Sequence, residues 1–182
     1  MTKPGESIAL TGAAALGSAA SSSVAGAAAE VRASLAELWL PRIYRERILP
    51  MRTRSHQLEV PARQASVEVQ HTLLGVELKI GRHRMMCPDL ATARYLAVFA
   101  RAGCREVAVP YDISQISSIA DQLESSWHRM LLLVEHVAAE RSAAFRSRLR
   151  SLLLADVRGE IREAGAGTPV PAFNQNTKQR RA

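Results

Sequence analysis

Arg42, Arg45, Arg47, Arg52 and Arg54 crowd one short stretch and are opposed there only by Glu46. Arg82 and Arg84 follow, and Arg141, Arg146, Arg148 and Arg150 form a later group. A guanidinium is planar, always charged and offers a fork of donors that matches phosphate oxygens. Arginines placed this way suit contacts to a phosphate backbone, which give salt-dependent affinity with little sequence choice. The whole chain supports that chemistry. Lys+Arg is 24 against Asp+Glu 17 in 182 residues, a formal net charge of +7. The candidate nucleic-acid contacts are therefore Arg42, Arg45, Arg47, Arg52, Arg54, Arg82 and Arg84. Aromatic residues are only 4%, so few side chains are available to stack on single-stranded bases.

Other chemistries find less support. No glycine-rich segment has P-loop or dinucleotide spacing, and no histidine pair has the i, i+4 spacing of a zinc protease helix. No serine sits in a glycine-flanked nucleophile elbow. His83 and Cys87 are the one loose metal-ligand pair, with His71 and Cys104 elsewhere. On a strand, positions four apart lie about 13 Å from each other, too far for one ion. Cys87 and Cys104 read instead as small buried apolar residues. His128 and His136 stand about two helical turns apart, too far to share a proton. Asp112, Asp121 and Glu124 have the composition of paired carboxylates, but acid–base work needs a cleft and shifted pKa values. Asp112 reads more simply as a helix cap. The expectation is a non-catalytic protein with no metal and no cofactor.

These side chains must be positioned by regular elements. Val31, Leu35 and Leu38 share a helical face, Pro41 fits the first turn of a second short helix over 42–49, and Pro50 closes it. Residues 51–65 read as a connection, with a short strand at 57–60. From Ser66 the period becomes two. Val67, Val69 and His71, then Val76, Leu78 and Ile80, alternate with charged or polar neighbours, as in a half-buried strand. Gly75 marks a bulge or turn. Gly81-Arg82-His83 reads as a hairpin loop and 84–87 as the returning strand. Asp89 caps a helix that Gly103 ends, and a strand over 107–109 follows. This unit implies a small sheet with a helix on one face.

Ile116, Ala120, Leu123, Trp127, Met130, Val134 and Val137 are spaced alternately four and three apart, a heptad seam. Ile119, Leu131 and Leu133 widen that seam, which favours packing within the chain over a helix-mediated homodimer through residues 113–164. Phe145, Leu149, Leu152, Leu153, Val157 and Ile161 stripe a last helix over 141–164. One continuous helix through both stripes would be roughly 75 Å long, so a break is expected near 138–143.

The fold class expected is α+β: residues 30–164 as one domain, made of short helices over 30–50, a β-hairpin, helix and strand over 57–110, and two long helices over 113–164. Residues 1–29, free of charge from Ser7 to Ala29 and rich in Ala, Ser and Gly, read as a flexible arm rather than a membrane span or signal peptide. Without export the compartment is the cytoplasm and the thiols are reduced. Residues 165–182 read as a disordered basic tail, in which Val170, Pro171 and Phe173 could anchor to a protein partner. Two functions result. The leading one is a nucleic-acid-binding or nucleoprotein-assembly factor; the alternative is an adaptor that binds proteins through its long helices and tail.

Overall fold

The computed structural model describes residues 23–61 and 66–168. Helix α1 spans Val24–Leu35, with the Ser23 hydroxyl accepting the Gly26 N–H at 3.0 Å. It starts inside the segment expected to be a flexible arm, and Ala27 and Ala28 are already core residues. Alanine has the highest helix propensity, and once Ser23 supplies a cap the run is a helix; residues 1–22 lie outside the described residues. A 3-10 turn at Ala36–Leu38 redirects the chain into α2, Leu40–Ile43, with Pro41 in its first turn. A π-helical turn at Tyr44–Ile48 continues it.

Among the described residues five strands form two separate antiparallel sheets. Strand β1, Thr53–Gln57, pairs with β5, Glu106–Pro110. The expected strand at 57–60 is thus displaced toward the N-terminus. Its sequence, TRSHQ, is polar and gives no apolar alternation; it is a strand because β5 offers it a ladder. Strands β2 (Val67–Thr72), β3 (Gly75–Ile80) and β4 (His83–Cys87) make a meander. Its turns fall at Leu73–Leu74 and at Gly81–Arg82, and Gly75 takes φ +126° beside the first turn. The single sheet implied by the hairpin, helix and strand is therefore two, because β5 joins β1 and not the meander.

What stops β5 from extending its sheet is a pair of tyrosines. The Ala108 N–H donates to Tyr44 Oη at 2.8 Å, and Tyr95 Oη donates to the Ala108 carbonyl at 2.5 Å. Buried backbone groups require partners, and two hydroxyls here take the place of a third strand. Tyr44 packs edge-on against Phe99 and Tyr95 lies tilted to it, at 5.6 and 5.1 Å between ring centroids.

Helix α3, Leu90–Ala102, begins at Asp89, whose carboxylate accepts the Thr92 N–H at 2.7 Å, and ends at Gly103 in the left-handed conformation. It packs on the meander with one face and on α4 with the other. Helix α4 spans Ile113–Val137 and α5 spans Ala143–Ala164; the break between them falls where length required it. The heptad seam is used inside the chain: Ile116, Ala120, Leu123, Trp127, Met130 and Val134 are all buried. Ser126 donates to the Leu38 carbonyl and ties α4 to the 3-10 turn. Helix α5 closes the core with Leu149, Leu153, Val157 and Ile161. After α5 the first tail residues are built into the fold rather than solvated. The Gly165 carbonyl accepts the Tyr44 hydroxyl at 2.7 Å, and Thr168 pairs in parallel with Arg54.

Candidate nucleic-acid interface

Most of the arginines selected by sequence are already engaged. Arg42 bonds Glu37 and Glu46, each at 2.9 Å, and the Glu46 hydrogen bond raises its pKa further. Arg45 pairs with Glu160 on α5, and Arg47 donates to the side-chain Oε1 of Gln122 on α4 at 2.6 Å. Arg52 and Arg54 lie over one ring, that of Tyr111, at 5.1 and 5.9 Å. Arg84 pairs with Glu77 across β3 and β4 at 3.4 Å. Arg82 sits at the exposed turn between those strands. The structure therefore distributes this set among partners on several elements; only Arg52 and Arg54 share one. Val170, Pro171 and Phe173 lie outside the described residues.

A different group of arginines converges. A cleft of about 740 Å³ opens where the end of α3 and the start of β5 face α5, and Arg101, Arg105, Arg158 and Arg162 all line it. Among the described residues the one acidic side chain in its wall is Glu106, whose carboxylate accepts the Ser55 hydroxyl at 2.5 Å. Arg158 and Arg162 are four apart on α5 and so share a face. Arg101 and Arg105 straddle the tight turn at Gly103, which sends the chain from α3 back toward β5. Arg158 is fixed in place: its Nη1 donates to the Ala102 carbonyl at 3.1 Å, at the C-terminal end of α3, where a cation is favoured. Its Cδ and Nη1 lie 3.2 Å from where a Cβ on Gly103 would stand, so a side chain there would push Arg158 back by a few tenths of an ångström and would also be strained at φ +84°. Val60, Val67, Ile80 and Leu154 supply an apolar floor beneath the charges.

Sequence reasoning did not single out these four arginines. The signal available was the i, i+4 spacing of Arg158 and Arg162; nothing local links them to Arg101 and Arg105, some fifty-seven positions earlier. Only tertiary packing does that.

The titratable groups of the cleft do not suggest chemistry of bond making. Burial pushes the Cys104 thiol up to about 12, against the lowering effect of the Arg158 charge. It stays a neutral thiol at physiological pH, a poor nucleophile. Burial likewise raises Cys87. Among the described residues no three His, Cys, Asp or Glu side chains gather closely enough to hold a metal. Asp121 and Glu124 both bind Arg94, at 2.7 and 2.5 Å, and Asp112 caps α4 through the Ser114 N–H at 2.9 Å. No family model matches the chain. Comparison with the curated proteins and with solved structures also finds no match. Among the described residues no helix is long and apolar enough to cross a membrane.

Proposed function

We propose that this chain is a non-catalytic nucleic-acid-binding or nucleoprotein-assembly factor that holds phosphates through arginine. The observation that carries this reading is the cleft with four arginines in its wall and a single carboxylate already engaged by Ser55. Elsewhere Arg32, Arg42, Arg45, Arg84, Arg94, Arg146 and Arg150 meet acidic partners, whereas among the described residues Arg101, Arg105 and Arg162 have no ion pair. Four guanidinium groups held together repel one another, and a bound polyanion relieves that repulsion. Arg82, at its exposed turn, is an additional contact on the same principle. The neutral Cys104 thiol fits a binding role, and its reduced state fits a cytoplasmic location.

The test is fluorescence anisotropy of labelled duplex DNA, single-stranded DNA and RNA with nuclease-treated protein, across roughly 50 to 200 mM salt. Binding with a steep salt slope, weakened by joint substitution of Arg101, Arg105 and Arg162 with Ala, supports the reading. No binding at the lowest salt removes it.

A second reading, a protein-binding adaptor, draws on the meander. Leu73 and Leu74 at its turn are 106% and 87% exposed, and Met86 on β4 is 50% exposed. Met86 Cε lies 3.4 Å from where a Cβ on Gly75 would stand, beside the two leucines, and contiguous exposed apolar patches mark contact surfaces. The apolar seam of α4 is occupied within the chain, so the adaptor reading moves from the long helices to this turn. Partner binding that survives high salt but is lost on Leu73→Ser with Leu74→Ser would favour it.

A further inference from the structure

Among the described residues Tyr111 is the one exposed aromatic side chain, at 48%. Trp39, Tyr44, Tyr95, Phe99 and Trp127 are buried, and Phe145 is half-buried. The position of Tyr111 is fixed from both sides. Its N–H donates to the Arg52 carbonyl at 3.1 Å, one rung beyond the Thr53–Pro110 pair that ends the β1–β5 ladder. The next residue, Asp112, caps α4. Arg52 and Arg54 stand on either side of Thr53 and hold their guanidinium carbons 5.1 and 5.9 Å from the centre of the Tyr111 ring. Among the described residues neither arginine has an ion pair. The acid nearest in sequence, Asp112, is spent on α4: it accepts the Ser114 N–H and hydroxyl at 2.9 and 2.6 Å and the Gln115 side-chain amide at 3.2 Å. Two positive charges thus meet on an exposed aromatic ring with no anion to answer them. The patch is separate from the arginine cleft, whose wall includes none of Arg52, Arg54 and Tyr111.

We propose that Tyr111, Arg52 and Arg54 are a stacking platform for an unpaired base, so that the chain prefers single-stranded nucleic acid to duplex. This rests on the nucleic-acid reading above and adds to it the form of nucleic acid that is bound. A single strand repeats the two features that the patch complements, a flat aromatic base and a phosphate. Bases stack on tyrosine rings and on guanidinium planes, and the guanidinium fork matches phosphate oxygens. In a duplex the bases are stacked on one another and present only their edges in the grooves. They offer the tyrosine no face, and only the phosphate contacts remain. The ring also separates this partner from other anions. An acidic peptide or a lipid headgroup would use the two charges and leave the ring idle. A low aromatic content does not count against the reading, because one stacking residue is enough to tell an unpaired base from a paired one.

The experiment is fluorescence anisotropy on the full chain with labelled probes of equal length: a single-stranded DNA, its duplex, and an abasic strand that keeps the phosphates and lacks the bases. The single strand is expected to bind more tightly than either of the others. Tyr111→Ala should weaken single-strand binding by about fivefold or more, the loss that alanine causes at a stacking aromatic. It should leave the duplex and the abasic strand nearly unaffected. Tyr111→Phe keeps the ring and should keep the affinity. Neither variant removes a charge, so the salt slope should stay as it is. As a direct readout, the ring-proton NMR signals of Tyr111 should move upfield on adding the single strand and stay in place on adding the abasic one. Duplex binding as tight as single-strand binding overturns the proposal, as does equal weakening of the abasic probe or an unchanged affinity in Tyr111→Ala. If joint substitution of Arg101, Arg105 and Arg162 abolishes binding while Tyr111→Ala leaves it untouched, this inference fails alone; if nothing binds at the lowest salt, the nucleic-acid reading fails with it.

Discussion

The Tyr44 hydroxyl joins two segments 64 positions apart by accepting the Ala108 N–H at 2.8 Å inside the core. The same hydroxyl donates to the Gly165 carbonyl at 2.7 Å, so one oxygen holds the edge of β5 and the exit from α5. Tyr44→Phe leaves the ring against Phe99 and strips both bonds. A buried amide without a partner costs about 1–3 kcal/mol. We expect Tyr44→Phe to lower unfolding free energy by about 2–4 kcal/mol on that basis, read as a shift of the denaturation midpoint with an unchanged slope. A loss below about 0.5 kcal/mol, the range of ordinary surface changes, would mean that the edge of β5 is satisfied in another way.

Stability should fall at alkaline pH. Burial pushes the Tyr44 hydroxyl up to about 12 and the Cys104 thiol up to about 12, from ordinary values of 10.0 and 9.0, and raises Tyr95 well above its ordinary range. Each group holds its proton more tightly folded than unfolded. Between those values the unfolded chain binds fewer protons, so unfolding free energy decreases with rising pH. The contribution is whole below about pH 9 and disappears progressively toward pH 12. Denaturant titrations at pH 8, 9.5 and 10.5 check this, and Cys104→Ala should flatten the first part of the decline. A pH-independent midpoint would contradict the burial of these groups.

Much of this fold was legible because its signals are local. Asp89 and Gly103 bracket α3 at the residues where a carboxylate cap and a left-handed glycine are required. The alternation of Val67, Val69, Leu78 and Ile80 marked two strands of the meander. What was not legible depends on distant partners. Strand β1 has no apolar alternation and exists through its ladder with β5. The proposed phosphate-binding surface follows the same division. Arg42, Arg45 and Arg47 are prominent as a run, yet their neighbours in space are Glu46, Glu160 and Gln122. Arg101 and Arg162 look unremarkable in sequence and meet in one cleft. Density of charge along a chain reports composition; freedom of charge depends on which acids the fold brings near.

The two arginine sets make opposite predictions under the nucleic-acid reading. On duplex DNA each phosphate that a protein neutralises adds about 0.9 to the salt slope. Joint substitution of Arg101, Arg105 and Arg162 with Ala should therefore reduce the slope by up to about 2.7. Substitution of Arg42 and Arg45 should leave the slope nearly unchanged and act on stability instead, since Arg45 ties the π-helical turn to Glu160 on α5. Equal effects of the two sets on the slope would show that the cleft is not the surface that meets phosphate.

Two glycines should respond to alanine in opposite directions. Gly159 lies within α5 and has no atom within 4 Å of where a Cβ would stand. Glycine inside a helix costs roughly 0.5–1 kcal/mol relative to alanine, so Gly159→Ala should stabilise by about that amount. Gly167 takes φ +81°, and a Cβ there would stand 2.5 Å from Thr53 Oγ1 and 3.3 Å from the Ala108 Cβ. Thr53 is buried and cannot swing aside. The left-handed conformation alone costs a non-glycine residue about 1–2 kcal/mol. Among the described residues a single bridge to Arg54 holds Thr168 to β1, so the least costly response is release of Thr168 from β1 rather than distortion of the core. Gly167→Ala should therefore free the Ser55 amide, which Thr168 now holds at 2.8 Å, while shifting the global midpoint by less than the strain implies. Hydrogen exchange at Ser55 beside thermal denaturation of both variants separates these outcomes. Retained protection at Ser55 in Gly167→Ala would refute the close packing of the chain against Thr53.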